Sequence, residues 1–220
     1  MQNMKIIGID FVETDSCCFC NHKLPTQTAY IIELDSGGLS QCGPTCAKKH
    51  FQDIKNVPNF TMASLDHNSG NSNGTGTSEK SIKRIQNNKE LAYLHLRCKY
   101  LNDFDDSNKI KFKFLMDVFN KNTIGIDDKD RKSIRKIMDS MKDTKLGYKN
   151  LMACYMAKRI LSMWIKKSSD DYAISLFSQL KKKCYLTEAQ VNGANNWINN
   201  MKKIPKINGE WFYNPKRNPQ

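Results

Sequence analysis

The 220-residue sequence predicts a small α+β module followed by an all-α helical domain. Strand-like apolar segments and five of the eight cysteines lie within residues 1–63, and apolar residues recur at helical spacing in residues 81–205. Between them, residues 67–79 are rich in Gly, Ser, Asn and Thr and contain no large apolar side chain. We therefore expect a flexible linker over residues 64–80, because such a segment cannot offset the entropy cost of ordering. Residues 206–220 are predicted to form an extended basic and aromatic tail.

The first module is expected to contain strands, a hairpin and a short helix. Apolar and β-branched residues predict three strands, at about residues 6–12, 28–35 and 39–41. Gly37 and its neighbours tolerate positive φ, so the chain can turn back between the second and third strands. Pro44 suits the first turn of a helix, which we expect to run to about Ile54.

The second module is expected to be entirely helical. Apolar periodicity predicts six helices, at about residues 79–103, 107–121, 128–142, 146–167, 170–183 and 188–203. Thr187 and Gln190 match a capping box at the start of the last helix. The apolar stripe of that helix includes Val191, Ala194 and Trp197, so we expect Trp197 to face the core.

Two cysteine pairs in the first module predict a zinc site. Cys17 and Cys20 are separated by two residues, and Cys42 and Cys46 by three. A hairpin between two such pairs brings four thiolates together, and Zn²⁺ prefers four ligands in a tetrahedron. Three further side chains are alternative ligands: Cys18, His50 and His22. The isolated Cys98, Cys154 and Cys184 are expected to be ordinary buried residues, and no disulfides are expected because the N-terminus lacks the features of a signal peptide.

The tight turn that carries Cys17 and Cys20 (the knuckle), the hairpin and the helix are predicted in the order found in a treble-clef finger. The stretches CFCNHKL and CGPTCAKK, within residues 15–54, resemble the small treble-clef zinc fingers of phage and bacterial proteins. Residues 172–190 are similar to a two-helix element of phage proteins that act in DNA metabolism. These resemblances imply a structural Zn²⁺ and no catalytic residue, and we expect residues 15–54 to be able to contact a protein partner.

The positive charge lies almost entirely in the second module. Residues 1–63 carry five lysines and six acidic residues, whereas residues 81–220 carry 29 basic and 14 acidic residues. Such a surplus predicts a polyanionic partner, DNA or RNA, held mainly through its phosphates. The basic residues that we expect to contact nucleic acid are Lys129, Arg131, Lys132, Arg135, Lys136, Lys181, Lys182, Lys183, Lys202 and Lys203. The tail aromatics Trp211, Phe212 and Tyr213 could stack on unpaired bases or fold back onto the domain.

No enzyme motif is found, so the sequence predicts a non-catalytic, cytoplasmic nucleic-acid-binding protein of a bacterium or an infected cell. Membrane association is not expected, because no apolar run is long enough to span a bilayer. An alternative is a protein-interaction adaptor or inhibitor that acts through the zinc module and the tail. A metal-dependent nuclease built on paired acids such as Asp127 and Asp128 is a third possibility, although such pairs suit helix starts equally well.

Overall fold

The computed structural model describes residues 4–12, 16–24, 28–52, 54, 57–61, 89–104, 112–121, 126–200 and 206–215. The chain divides into two compact units, Met1–Ala92 and Tyr93–Gln220. The described residues form one three-stranded sheet and seven helices, so the predicted combination of a small sheet with a helical majority is confirmed. The predicted linker over residues 64–80 lies outside the described residues.

The sheet of the first unit is antiparallel, with strand order β1-β2-β3. Its strands are β1 (Lys5–Phe11), β2 (Thr28–Glu33) and β3 (Leu39–Cys42). Alternate residues of β1 are buried, as expected for a strand with one face on a core. The outer edge of β1 is also paired, because the Ile9 amide donates to the Pro58 carbonyl and the Phe60 amide donates to the Ile9 carbonyl, both at 2.9 Å.

A tight turn and a short helix complete the first unit. Gly37 turns the chain between β2 and β3 with φ of +77°, a value that residues with a side chain rarely adopt. Helix α1 (Pro44–His50) follows β3. The prediction that this helix runs to Ile54 is wrong, because Phe51 is extended, with φ of −129° and ψ of 133°. Its ring instead lies edge-on to Phe19, with centroids 6.1 Å apart.

The division between the units falls within helical residues 89–95, which continue into a π-helical turn, Leu96–Tyr100. We call this helix with its π turn α2. The later helices are α3 (Phe112–Lys121), α4 (Asp128–Ser140), α5 (Tyr148–Ser168), α6 (Asp171–Lys183) and α7 (Glu188–Ile198). Each predicted helical segment contains one of these helices among its described residues, but several predicted ends are too long, because residues 101–103, 141–142 and 199–200 form turns or bends. Within the described residues, no helix combines the length and the apolar character that a membrane span requires.

Helix α5 forms the core of the second unit. Eleven of its 21 residues are buried, among them Leu161 and Trp164. Helices α5 and α6 are joined at Ser169, which adopts a left-handed conformation with φ of 47°. This sharp reversal allows α6 to pack back along α5, with Leu176 and Leu180 buried.

The described part of the tail folds back onto the second unit. Phe212 and Tyr213 are buried, each with 8% of its surface exposed. The Tyr213 amide donates to Asn150 Oδ1 at 2.7 Å, and Asn195 exchanges two hydrogen bonds with the backbone of Ile207. Of the two arrangements considered for the tail, residues 206–215 therefore fold back onto the domain, where the rings are buried and the amides have hydrogen-bond partners.

Candidate metal site and basic surface

Three thiols meet beside the sheet of the first unit. The Sγ atoms of Cys17, Cys20 and Cys46 all lie within 4.8 Å of one another. The Cys46 thiol donates to Cys20 Sγ at 3.5 Å. Within the described residues, this group of three cysteines is the only cluster of Cys, His, Asp or Glu close enough to share a metal ion. We call it the three-thiol group, and it could hold a metal ion.

A tight turn of the backbone positions Cys17 and Cys20. The Asn21 amide donates to the Cys17 carbonyl, and the Cys17 amide donates to the His22 carbonyl. Asn21 reverses the chain with φ of 55°, and Ser16 and Lys23 pair across the base of the turn. Cys18 and Cys20 are therefore exposed at the tip, while Cys17 is buried in the core of the unit and the partly buried Phe19 packs against that core.

Backbone amides stabilise the thiolate form of Cys17. Burial raises its pKa, but hydrogen bonds from the amides of Gly43, Phe19 and Cys20 outweigh burial and lower the pKa to about 7. A thiolate is the form that binds a metal. The local backbone thus prepares Cys17 to act as a ligand at neutral pH.

The pKa of Cys46 moves in the opposite direction, although Cys46 lies in the first turn of α1. Its thiol is hydrogen-bonded to Cys20 and Cys17, which raises the pKa to about 12. Several negative charges within a few ångströms repel one another. A bound cation would remove this repulsion and allow all three sulfurs to ionise.

Cys42 lies at the end of β3 and is fully buried. It does not belong to the three-thiol group. Burial raises its pKa to about 12, and the negative charge of Cys18, Cys17, Cys46 and Cys20 adds to the increase. Cys42 shares the buried core cluster with Cys17, and Cys46 packs against the same cluster.

The alternative ligands that the sequence suggested also lie outside the three-thiol group. Cys18 is exposed, and its amide donates to the Gln41 carbonyl. The ring of His50 is stacked on Phe19, with centroids 4.1 Å apart and planes 15° apart. His22 is exposed at the end of the turn.

The remaining cysteines are buried in the second unit, as predicted. The Cys154 thiol donates to the Cys184 carbonyl at 3.0 Å. Burial raises the pKa of Cys98 to about 12 and raises that of Cys154 well above its usual value. The thiols of Cys98 and Cys154 therefore stay protonated and contribute to packing.

Helix α4 presents an exposed row of lysines. Lys129, Lys132 and Lys136 are exposed at spacings of three and four residues, while Ile134 and Ile137 are buried on the opposite face. The predicted contact residues Arg131 and Arg135 flank this row and are partly buried, and Arg131 forms an ion pair with Asp128 at 3.5 Å. We call Lys129, Lys132 and Lys136 the α4 lysine row.

The lysines at the end of α6 have different surroundings. Lys181 forms an ion pair with Asp103 at 2.8 Å, and Lys158 pairs with the same carboxylate at 3.0 Å. Lys182 and Lys183 are exposed. The charge of Lys181 is therefore partly neutralised, whereas its two neighbours remain accessible. The predicted contacts Lys202 and Lys203 lie outside the described residues.

The paired carboxylates cap helices. Asp127 accepts a hydrogen bond from the Asp130 amide at the start of α4, at 2.7 Å. Asp170 accepts hydrogen bonds from the amides of Tyr172 and Ala173 at the start of α6. Together with the Asp128–Arg131 pair, these contacts give the acidic pairs a structural role at helix starts.

Sequence reasoning missed an exposed aromatic surface in the second unit. Trp197 was expected in the core, but 53% of its surface is exposed. The available signal was the narrower stripe of Val191, Ala194 and Ile198, at spacings of three and four residues, which leaves Trp197 at its edge. Comparisons of the chain with protein-family models, curated proteins and solved structures found no match.

Proposed function

We propose that this protein is a non-catalytic nucleic-acid-binding protein whose first unit is built around a structural Zn²⁺. The three-thiol group supports the choice of metal. Four sulfurs at the usual Zn–S distance of about 2.3 Å lie about 3.8 Å from one another. The Sγ atoms of Cys20 and Cys46 are 3.5 Å apart, and all three Sγ atoms lie within 4.8 Å of one another, so these distances are close to the value of about 3.8 Å expected around Zn²⁺.

Cys42 is the proposed fourth ligand. It is buried in the same core cluster as Cys17, with Cys46 packed against that cluster, and it immediately precedes Gly43, whose amide already donates to Cys17. The order of tight turn, β2–β3 hairpin and α1 supports a treble-clef arrangement. Four thiolates leave no open position for water, so the zinc would be structural and would hold together a small unit with a limited core.

Two single substitutions test the metal site. Cys46→Ser removes a member of the three-thiol group, and Cys18→Ser is its matched control, because Cys18 is exposed and outside that group. We expect zinc to copurify with the wild-type protein and with Cys18→Ser, and to be lost from Cys46→Ser. Equal zinc contents in the two variants would contradict the proposed site.

The single observation that carries the nucleic-acid proposal is the α4 lysine row. Its three ammonium groups are exposed on one face of a helix, within a region that has 29 basic and 14 acidic residues. Contacts between lysines and phosphates release counterions, so binding must weaken as salt increases. Lysine is suited to backbone contact, whereas arginine reads guanine through two hydrogen bonds. We therefore expect binding with little sequence preference.

Fluorescence anisotropy with labelled single-stranded DNA, duplex DNA and RNA tests this function in the full-length protein. We expect replacement of Lys129, Lys132 and Lys136 by Glu to weaken binding at least tenfold and to reduce its salt dependence. Replacement of the exposed Lys23, Lys48 and Lys49 of the first unit by Glu changes the net charge equally and serves as the matched control. Equal losses in both triple variants would refute a specific role for α4, and no binding by the wild type would refute the function.

One observation favours a second function, protein binding by the first unit. The stacked rings of Phe19 and His50 lie beside the three-thiol group, and Leu39 of the same unit is 66% exposed. Aromatic and apolar side chains are common in protein interfaces. Under this alternative, Phe19→Ala would abolish capture of a partner, while the triple Glu variant of α4 would leave that capture unchanged.

A further inference from the structure

Helices α6 and α7 of the second unit carry most of the exposed large apolar side chains among the described residues. Among the described residues, four large hydrophobic side chains are exposed, and three of them lie on α6 and α7. Tyr172 is 37% exposed, Ile174 is 45% exposed and Trp197 is 53% exposed. Ile174 lies two residues after Tyr172 on α6 and therefore faces away from it, whereas Tyr172 and Trp197 both contact the ring of Trp164. Exposed aromatic rings grouped in this way are typical of a binding surface, because solvation of apolar area is unfavourable.

The two aromatic rings of this surface are held on a rigid base. Trp164 of α5 is fully buried, and its ring centroid lies 6.1 Å from both Tyr172 and Trp197. The planes of Trp164 and Trp197 are only 31° apart, so one indole lies against the other. Gly193 leaves room for Tyr172 beside α7, because a Cβ atom at Gly193 would lie 2.5 Å from the Tyr172 hydroxyl oxygen. We call Tyr172 and Trp197 the aromatic surface.

Charged residues precede Tyr172 in the sequence. Lys166 and Lys167 are exposed at the end of α5, just before α6 begins. Asp170 is used as the cap of α6, and Asp171 is exposed beside it. The rings of the aromatic surface are suited to contact with an uncharged, flat group. The excess of positive charge over residues 81–220 favours a polyanion, such as a nucleic acid, as the molecule that carries this flat group.

We propose that the aromatic surface binds unpaired bases of a single-stranded nucleic acid by stacking, with Trp197 as the main contact. This inference rests on the proposed nucleic-acid function and assigns the form of nucleic acid. Bases in a duplex are already stacked on one another, whereas unpaired bases present free faces to an aromatic ring. The α4 lysine row binds phosphates, and the aromatic surface supplies a contact that depends on the bases.

The test compares Trp197→Ala, Trp197→Phe and Trp197→Leu with the wild type in the full-length protein. Asn192→Ala, an exposed position elsewhere on α7, is the matched control. The probes are a labelled oligothymidine and an abasic oligonucleotide of the same length, each at low and moderate salt. Circular dichroism and thermal melting establish that each variant is folded, and Trp197→Phe and Trp197→Leu retain apolar bulk if Trp197→Ala does not fold.

Loss of stacking with one base corresponds to about a 5- to 150-fold weaker affinity. We expect Trp197→Ala and Trp197→Leu to show such a loss for oligothymidine, by the same factor at both salt concentrations, while Trp197→Phe and Asn192→Ala bind nearly as the wild type does. Affinity for the abasic probe should not change in any variant. This pattern differs from that of the triple Glu variant of α4, which should change the salt dependence with both probes.

Three outcomes would overturn the inference. If the wild type binds oligothymidine and Trp197→Ala binds it equally well, stacking is refuted and the proposed function stands. If Trp197→Leu binds as the wild type does while Trp197→Ala is weakened, the surface makes a general apolar contact of the kind that suits a protein partner. If the wild type binds no nucleic acid, both this inference and the proposed function fail.

Discussion

Replacement of Asn150 should strongly destabilise the second unit. Asn150 is buried on α5, and its side chain joins three separate segments. Its Nδ2 group donates to the Lys145 carbonyl at 2.6 Å and to the Cys184 carbonyl at 2.7 Å, and its Oδ1 accepts from the Tyr213 amide at 2.7 Å. The side chain thus ties the turn before α5 and the end of α6 to the tail.

The magnitude follows from these three hydrogen bonds. Asn150→Ala removes all three hydrogen bonds, and each bond to a buried group contributes about 1 kcal/mol or more. The Cys184 carbonyl still accepts from the Cys154 thiol. We expect a loss of at least about 3 kcal/mol in the free energy of unfolding, a large part of the stability of an ordinary domain. Asn150→Asp should be at least as damaging, because a carboxylate would face two carbonyl oxygens.

Urea unfolding followed by tryptophan fluorescence measures this loss. Asn192→Ala is the control, since an exposed asparagine on α7 should change stability by no more than about 0.5 kcal/mol. Trp211 lies beside the buried Phe212 and Tyr213, so its emission should also report release of the tail. A loss below about 1 kcal/mol for Asn150→Ala would refute the assignment of Asn150 as the residue that joins these segments.

Two further predictions concern Asp103 and Gly193. Burial raises the pKa of Asp103, but hydrogen bonds from Lys181 and Lys158 outweigh burial, so the net effect is a lowered pKa. The ionised Asp103 therefore stabilises the fold at any pH above the ordinary aspartate pKa. This contribution is lost as the pH falls through the lowered pKa. Asp103→Asn should therefore lower the free energy of unfolding by no more than about 1 kcal/mol at neutral pH and low salt, because the Asp103 side chain is 41% exposed. The difference in stability from the wild type should vanish in acid. A difference in urea unfolding that does not depend on pH would count against this prediction. Gly193→Ala should stabilise α7 by about 1 kcal/mol in a Tyr172→Phe background, because alanine favours a helix more than glycine does. It should stabilise the wild type by less, because the new Cβ atom meets the Tyr172 hydroxyl. Additive effects in the double-mutant cycle would show that Gly193 and the Tyr172 hydroxyl are not in contact.

Local features explain which parts of the fold the sequence could predict. The starts of α4 and α7 follow from their capping residues, Asp127 and the Thr187–Gln190 capping box, which act within one turn. The end of α1 could not be predicted in this way, because Phe51 leaves the helix beside a ring that is distant in sequence. Element type is set locally, whereas the residue at which an element ends also depends on tertiary contacts.

The candidate site also combines features that are set locally with features that depend on tertiary contacts. The spacing of Cys17, Cys20 and Cys46 was sufficient to predict that their thiols meet. The exposure of Trp197 depends on how α7 lies against α5 and α6, which helical periodicity does not specify. The pairing of Lys181 with Asp103 joins residues far apart in sequence, so a cluster of three lysines could not reveal which of them is neutralised.

The most direct test of the account is zinc X-ray absorption on the purified full-length protein, combined with metal analysis. The account predicts one zinc per chain, surrounded by four sulfur atoms at about 2.3 Å. A protein that is folded, contains no stoichiometric zinc and has all eight cysteines titrating as free thiols would contradict it. A zinc shell with nitrogen in place of one sulfur would contradict the assignment of Cys42 as the fourth ligand.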